Sequence, residues 1–423
     1  PSGGNFSGTL YNGLNGALLY YRSQDGGTTW DIQDKQLPTL DTSMFVGFGG
    51  DAYAIQAQGN TVVLAHFGGW EDSFIMKSTD NGETWTKTIF LDFPVDRYNT
   101  DDGVDLDGDG AMDSIFSTDG SGTLLLDNNG DAHVFAGNMR LLDADLSDGS
   151  TSYFPGTNGL LYWNESMGAD TGGQINNSIW ESLNMDVITG ADDLDGDSVL
   201  SLDNIPIYFL SLSSMPSAGI DASGVIYLSY SAIVETSSNG TQNFRHIYII
   251  KSEDGGTNWS EPIDVTPHPV WDGNEECVYA SMDHDVDGII RIVYQKDGEP
   301  GLVVKDDNPV TAIDENEIMY LELDAANLTT AIDNIVRNNT QLSVYPNPAK
   351  DFTTLQITAT ETEKVNISIV DVLGKVVYSD DRVIHSGMNA EHINIPSIQN
   401  GIYFINTQIG TQTSSNKLVI VEE

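Results

Sequence analysis

Basic side chains are scarce in this chain, and their scarcity limits its partners. The 423 residues contain 17 Lys and Arg against 63 Asp and Glu, so the formal net charge is −46. Nucleic acids and anionic membrane surfaces bind basic faces that replace counterions, so neither is expected as a partner. Apolar residues make up 39% of the chain, enough for a core, and 42 glycines favour a β-rich, turn-rich protein over a disordered acidic polymer.

Cysteines and long apolar runs are also missing. Cys277 is the only cysteine, so an intrachain disulfide framework is excluded, and its side chain is expected to be a small buried apolar group. The most apolar long segment, 199–215, is broken by Asp203 and Pro206 before it reaches the length of a membrane span. The sequence therefore predicts no transmembrane helix.

The acidic charge is concentrated in the first part of the chain. From Gln341 onward there are five Lys and Arg and nine Asp and Glu, whereas the first 340 residues carry twelve and fifty-four. The stretch 328–340 is polar and rich in Asn, which is typical of a linker. We therefore predict a first domain over residues 1–327, a linker over 328–340 and a second domain over 341–423.

Three segments of the first domain share the pattern Ser-x-Asp-x-Gly-x-Thr-Trp, with Asn258 in place of Thr in the third. Each lies between two short apolar runs, which predicts a β-hairpin. The Gly permits a tight turn, the Asp carboxylate accepts hydrogen bonds from turn amides, and the Trp can pack between neighbouring sheets. The residues concerned are Ser23, Asp25, Gly27 and Trp30, then Ser78, Asp80, Gly82 and Trp85, then Ser252, Asp254, Gly256 and Trp259.

A second repeated feature is a polar turn that ends in glycine and precedes an alternating strand. It occurs at Gly59, Gly130, Gly224 and Gly288. The separation of the first two Ser-x-Asp-x-Gly segments fits one four-stranded sheet with its loops. Repeats of this length predict an all-β chain that starts with a β-propeller of about six blades, five of them traceable. A sixth blade would need residues upstream of the given sequence, or segment 317–323 closing the ring.

The three segments resemble the Asp-box, or BNR, repeats of sialidase-like propellers, and the resemblance extends over about residues 8–325. It implies that Asp25, Asp80 and Asp254 form turns at the blade periphery and are not catalytic. Sialidase activity would further require an Arg-Ile-Pro signature, which is absent, because both Ile-Pro pairs, at Pro206 and Pro396, follow Asn.

For the propeller, we expect a non-enzymatic binding or adhesion unit with a glycan or protein ligand rather than an enzyme. The alternative is a secreted glycoside hydrolase acting on polysaccharide or glycoconjugate. Its first candidates would be Glu275 and Glu276 near Tyr279, although a solvated loop explains these carboxylates better.

Alternating aspartates suggest a structural calcium ion. In 105–113, carboxylates stand at positions 1, 3, 5 and 9 of a calcium loop, with a Gly at position 6 and a main-chain carbonyl at position 7. Position 12 is Phe116, so the loop is closer to the short loops inserted in extracellular β proteins than to an EF-hand. A second, weaker ladder lacks the Gly, and the alternative for both is a solvated acidic loop. The predicted ligands are Asp105, Asp107, Asp109, Ala111 and Asp113, then Asp193, Asp195 and Asp197.

The second domain contains alternating strands separated by short turns, which predicts a small antiparallel β-sandwich. Four motifs mark it: a Tyr-Pro-Asn-Pro start, a Gly-Lys turn, an Asn-Gly-Ile-Tyr strand start and an apolar final strand. The residues singled out are Tyr345, Pro346, Asn347, Pro348, Gly374, Lys375, Gly401, Ile402, Tyr403, Lys417 and Val419.

These motifs, in this order, resemble the type A C-terminal sorting domain of the type IX secretion system of Bacteroidetes. The resemblance implies passage through the periplasm and an outer-membrane translocon, with a shuttle protein that recognises the domain. It also implies that the domain is usually removed and that the cargo is attached to surface lipopolysaccharide or released. We therefore expect a secreted or cell-surface protein.

Overall fold

The protein is described from a computed structural model, which covers residues 10–172, 184–194, 199–267, 275–302 and 315–328. In the C-terminal part it covers 342–345, 347–350, 352–359, 362–371, 375–385, 387–395, 399–409 and 412–421. The chain divides into two compact units, Pro1–Leu328 and Thr329–Glu423. Of the predicted linker, the described residues include only Leu328, which is buried.

The described residues of the N-terminal unit form five successive sheets. The strands are β1 (Leu19–Arg22) and β2 (Ile32–Gln36); β3 (Tyr53–Gln58), β4 (Thr61–His66), β5 (Ser73–Ser78) and β6 (Thr86–Leu91); β7 (Ile115–Leu126), β8 (Ala132–Leu142), β9 (Ser152–Tyr153), β10 (Leu160–Asn164) and β11 (Asp186–Thr189); β12 (Ser213–Asp221), β13 (Ile226–Ser238), β14 (Asn243–Ser252) and β15 (Ile263–Asp264); and β16 (Glu276–Met282), β17 (Asp285–Val286), β18 (Ile289–Asp297) and β19 (Glu317–Asp324). Strand β17 joins the fourth sheet by pairing in parallel with β12. Every other strand pairing among the described residues of the unit is antiparallel.

The predicted β-propeller is confirmed, with five sheets among the described residues. The first strands of consecutive sheets are neighbours, because β7 contacts both β3 and β12, and β12 contacts β16. The apolar cores lie between adjacent sheets, which is the packing of propeller blades. Segment 317–323 does not form a blade of its own, because it belongs to β19, which pairs with β18 in the fifth sheet.

The first strands of the third, fourth and fifth sheets are each interrupted by a β-bulge. The register shifts lie between Thr118 and Gly122 in β7, Ser214 and Ser217 in β12, and Val278 and Ser281 in β16. Each bulge contains a residue with positive φ: Gly120 (+85°), Met215 (+56°) and Tyr279 (+56°). Bulges redirect side chains and occur often beside active sites, so these neighbouring first strands are where a site is to be sought.

The C-terminal unit is the predicted antiparallel sandwich of two sheets. One sheet has the order β20 (Leu342–Tyr345), β21 (Phe352–Ala359), β24 (Gly387–Asn394), and the other has the order β23 (Val376–Ile384), β22 (Glu363–Asp371), β25 (Gly401–Ile409), β26 (Gln412–Ile420). Aliphatic side chains fill the space between them, among them Leu355, Ile367 and Leu418, none of which is exposed.

The first and last of the motifs that mark this unit are joined by a hydrogen bond. Asn347 Oδ1 accepts a hydrogen bond from the Val419 amide (2.8 Å), so the first turn is joined to the last strand, β26. Gly401, Ile402 and Tyr403 open β25, whereas Lys375 immediately precedes β23 and Lys417 lies in β26. Pro346 and Gly374 lie outside the described residues.

Helix is nearly absent from the described chain. Among those residues there are two 3-10 turns, Glu165–Met167 and Ala325–Asn327, and no helix long and apolar enough to cross a membrane.

Candidate active site

The three Ser-x-Asp-x-Gly turns use their carboxylates within the turn. In the first, the Gly27 amide donates to Ser23 Oγ (2.8 Å) and the Thr29 amide donates to Asp25 Oδ1 (2.7 Å). The turns at Asp80 and Asp254 repeat both bonds at 2.8–2.9 Å. These hydrogen bonds lower the pKa of all three carboxyls, that of Asp80 to about 2. The three aspartate carboxylates are exposed, and they accept hydrogen bonds from residues of their own turn. They are therefore suited to stabilising the hairpin turn.

In two of these turns, a tyrosine side chain from the preceding sheet packs against the glycine. A Cβ on Gly82 would lie 2.3 Å from Tyr20 Oη, and a Cβ on Gly256 would lie 1.8 Å from Tyr162 Oη. The tyrosine rings also meet Trp85 and Trp259 edge-on, with ring centroids 5.0 and 5.3 Å apart. Gly27 has no such neighbour, and Trp30 is 49% exposed beside Tyr21 of its own sheet.

A cleft of about 580 Å³ opens beside the bulge of β7, and we call it the Asp119 cleft. Its walls come from the second and third sheets and from the loop that precedes β12. Carboxylates, one histidine and aromatic rings dominate its polar and exposed lining: Asp51, His66, Trp70, Glu71, Thr118, Asp119, Tyr153 and Phe209.

Asp119 is held in place from two sides. Its Oδ2 accepts hydrogen bonds from the amide and the hydroxyl of Ser211 (both 3.0 Å), and its Oδ1 accepts one from the Ser121 amide (3.0 Å). The carboxyl occupies the space above Gly137 in β8, where a Cβ would lie 2.0 Å from Oδ2. Burial raises the pKa of Asp119, so the carboxyl keeps its proton to a higher pH than an ordinary aspartate.

The second sheet contributes a histidine and a second carboxylate to the cleft. His66, the last residue of β4, is 1% exposed, and its Nε2 lies 2.8 Å from Glu71 Oε1. The adjacent Trp70 stacks on Tyr98 with ring centroids 4.5 Å apart, and the Tyr98 hydroxyl donates to Asp143. Glu71 therefore has a fixed partner and position.

Two aromatic side chains remain open to solvent on the other wall. Phe209 is 51% exposed and Tyr153 is 42% exposed, and their ring centroids are 6.0 Å apart. Phe209 has φ +60°, a conformation that costs a non-glycine residue about 1–3 kcal/mol. Such strain in an exposed aromatic residue is typical of ligand sites.

A buried polar network supports Asp119 from behind. Arg245, fully buried in β14, donates from its guanidinium to the carbonyls of Ser211 (2.7 Å) and Leu212 (3.0 Å). Glu276 Oε2 accepts from the Arg245 amide (2.6 Å), and its Oε1 accepts from the Tyr208 hydroxyl (2.7 Å). Burial raises the pKa of Glu276 to about 7. The network fixes the Ser211 segment to which Asp119 is bonded.

This network corrects the interpretation of Glu275 and Glu276 as a solvated loop. Glu276 is 0% exposed at the start of β16, and Glu275 pairs with Lys296 (2.9 Å). Tyr279, also named from the sequence, lies in the β16 bulge, 42% exposed, with its ring 6.1 Å from that of Tyr208.

The first aspartate ladder brings three of its four carboxylates together. Oxygens of Asp105, Asp107 and Asp109 lie within 4.8 Å of one another, and all three side chains are exposed. Asp113 points elsewhere, because its Oδ2 accepts from the Leu106 amide (2.7 Å), and Ala111 donates its amide to Asp109 (2.8 Å). In the second ladder, Asp193 is described, but Asp195 and Asp197 lie outside the described residues.

The sequence reasoning missed His66, Glu71, Asp119 and Phe209. A signal for Asp119 existed, because Asp-Gly-Ser-Gly at 119–122 interrupts an otherwise strand-like run, which is typical of a bulge. The other three have no local motif.

Residues 343–421 match the protein-family model described as the secretion system C-terminal sorting domain. They form a sorting domain. Its presence indicates export by the type IX secretion machinery, which the domain engages, to the cell surface or the medium. The predicted localisation is therefore confirmed.

The other comparisons find carbohydrate-active enzymes. A xyloglucanase of Hypocrea jecorina (strain QM6a) is 32% identical over 89 residues, 21% of this chain and 10% of that protein, so the chain spans about a tenth of this curated relative. A solved ulvan lyase of polysaccharide lyase family PL25 is 10% identical, with a TM-score of 0.32 over 86% of this chain and 83% of that one. The alpha-L-arabinanase of Penicillium chrysogenum, complexed with arabinobiose, is 11% identical, with a TM-score of 0.30 over 87% and 92%.

The match to the xyloglucanase overturns the expectation that the propeller is a non-enzymatic binding or adhesion unit. The alternative prediction, a secreted glycoside hydrolase, agrees with it better.

Proposed function

We propose that the N-terminal unit is an exported enzyme that cleaves glycans in the Asp119 cleft. The observation that carries this proposal is the position of Asp119, a carboxyl of raised pKa fixed by Ser211 in a cleft with two further carboxylates. The match to a xyloglucanase over 89 residues supports the same class of substrate.

Glycoside hydrolysis requires one carboxylic acid that protonates the leaving oxygen and one carboxylate that acts as base or nucleophile. Asp119 suits the first role, because its raised pKa keeps a proton available for transfer. Glu71 suits the second, because it lines the same cleft and its contact with His66 fixes its orientation. Asp51 lines the same cleft and is the reserve candidate for the second role.

The test is the release of reducing ends from xyloglucan and linear arabinan by the purified full chain. Asp119→Asn and Glu71→Gln should each lower the rate at least about a hundredfold, since each removes a group that acts in the transition state. Asp148→Asn, a change in an exposed loop outside the cleft, is the matched control and should keep full activity. Unchanged rates in both cleft variants would refute the assignment.

For export, we propose that the sorting domain is bound by the shuttle protein of the outer membrane and passes its cargo to the type IX translocon. The bond between Asn347 and Val419 supports this, because it joins the marked first turn to the last strand in one surface. Co-purification of the isolated sandwich with the shuttle protein, and its loss in Asn347→Ala, would test the assignment.

We further propose that the Ser-x-Asp-x-Gly turns are Asp-box repeats and that Asp105, Asp107 and Asp109 hold a calcium ion. The identical hydrogen bonds of the three turns support the first proposal. The convergence of three carboxylates within 4.8 Å supports the second, because alternating carboxylate oxygens suit a hard cation.

A further inference from the structure

The charges around the Asp119 cleft restrict the kind of glycan that it can hold. Among the described lining residues there are three carboxylates, Asp51, Glu71 and Asp119, and no lysine or arginine. A uronate or a sulfated sugar brings its own negative charge and needs a cationic partner in the site, since an unpaired anion beside carboxylates is repelled.

Two arginines near the cleft are engaged elsewhere. Arg245 is fully buried, and its guanidinium donates to the Ser211 and Leu212 carbonyls. Arg140 lies between the lining residues Met139 and Leu141, but its guanidinium stands over the Phe116 ring, 4.1 Å from the centroid. Successive side chains of a β-strand point to opposite faces of the sheet, so the Arg140 side chain points away from the cleft that Met139 and Leu141 line.

The apolar part of the cleft suits a neutral sugar ring. Phe209 and Tyr153 present exposed rings 6.0 Å apart, and the positive φ of Phe209 keeps its ring at the opening at a conformational cost. An aromatic ring can stack on the apolar face of a sugar ring, and this contact does not require the sugar to be charged. The carboxylates of the cleft can accept hydrogen bonds from the sugar hydroxyl groups.

We infer that the Asp119 cleft takes a neutral polysaccharide, stacked on Phe209 and Tyr153, and excludes uronate and sulfated polymers. This inference rests on the proposed function, since it names the substrate class of the same site. The net charge of −46 acts in the same direction, because it lowers the local concentration of polyanions around the protein.

The test is affinity electrophoresis of the full chain carrying Asp119→Asn, which keeps the cleft but removes turnover. The probes are xyloglucan, linear arabinan and xylan as neutral polymers, and polygalacturonate and ulvan as anionic ones, all at physiological salt. We expect retardation by at least one neutral polymer and none by either polyanion. Adding Phe209→Ala should weaken that retardation about tenfold, whereas Phe154→Ala, a 40% exposed phenylalanine outside the cleft lining, should leave it unchanged.

Three outcomes would overturn the inference: retardation by polygalacturonate or ulvan equal to that by the neutral polymers, no retardation by any neutral polymer, or indifference to Phe209→Ala. Failure of the proposed function looks different. Binding of a neutral polymer by the Asp119→Asn variant, without reducing ends released by the unmodified protein, would end the hydrolase proposal and keep the neutral-glycan assignment.

Discussion

The substitution Gly137→Ala tests how Asp119 is positioned, because the Asp119 carboxyl occupies the space that the new methyl group would need. Gly137 lies inside β8, opposite Leu160, and has no positive φ, so alanine suits its backbone. The three nearest atoms all belong to the Asp119 carboxyl, whose Oδ2 and Cγ would lie 2.0 and 2.4 Å from the new Cβ. To reach an ordinary contact distance the carboxyl must move by about 1.4 Å, which breaks its bonds to Ser211.

The expected cost of Gly137→Ala follows from these contacts. Overpacking costs about 1–3 kcal/mol, and leaving the Ser211 donors unpaired costs about 1–3 kcal/mol more. Replacing glycine by alanine inside a strand returns about 0.5–1 kcal/mol. We therefore expect the free energy of unfolding to fall by about 3 kcal/mol, and glycan cleavage to fall about a hundredfold, because a misplacement of this size disables a catalytic group.

A double-mutant cycle separates this contact from any general effect. In an Asp119→Ala background the obstacle is gone, so Gly137→Ala should be neutral or slightly stabilising, and the coupling should be about 3 kcal/mol. Gly50→Ala is the control, because its Cβ would meet nothing within 4 Å. Urea unfolding followed by tryptophan fluorescence reports on the N-terminal unit alone, since all seven tryptophans precede residue 328. An equal cost of Gly137→Ala in both backgrounds would refute the reasoning.

Three further predictions concern other parts of the chain. Millimolar Ca²⁺ should raise the melting temperature and chelator should lower it, and Asp107→Ala/Asp109→Ala should remove most of this response; an identical melting curve in chelator would show that the loop is only solvated charge. The pKa of Glu276, about 7 against 4.5 in the unfolded chain, makes the folded state keep a proton that the unfolded state loses between these values. This one carboxyl should therefore lower the free energy of unfolding by about 3 kcal/mol as pH rises from 4.5 to 7 and have no further effect above, and Glu276→Gln should remove that contribution in urea titrations at several pH values. Deleting 417–423, which removes the buried Leu418 from the sandwich, should leave the propeller folded but retained in the periplasm, as cell fractionation would reveal; normal surface levels would contradict the sorting role.

The sequence by itself determined the parts of this protein that depend on short-range contacts. Each Ser-x-Asp-x-Gly turn is closed by hydrogen bonds between residues two and four positions apart, so the pattern in eight residues is sufficient to predict it. The strand alternation and turns of the C-terminal sandwich follow the same logic and predicted its fold. Its role in export was implied by the resemblance of its four motifs to type IX sorting domains.

The candidate site was decided by tertiary structure alone. Asp119 is bonded to Ser211, which lies 92 residues away, and Glu276 is bonded to Tyr208, 68 residues away. No local pattern indicates that Glu276 is buried, because its charge and its neighbour Glu275 suggest a surface loop, and only the packing of the fourth and fifth sheets excludes water from it. The packing of separate sheets brings these distant residues together, and for that reason the residues of the candidate site were missed from the sequence while the turns were found.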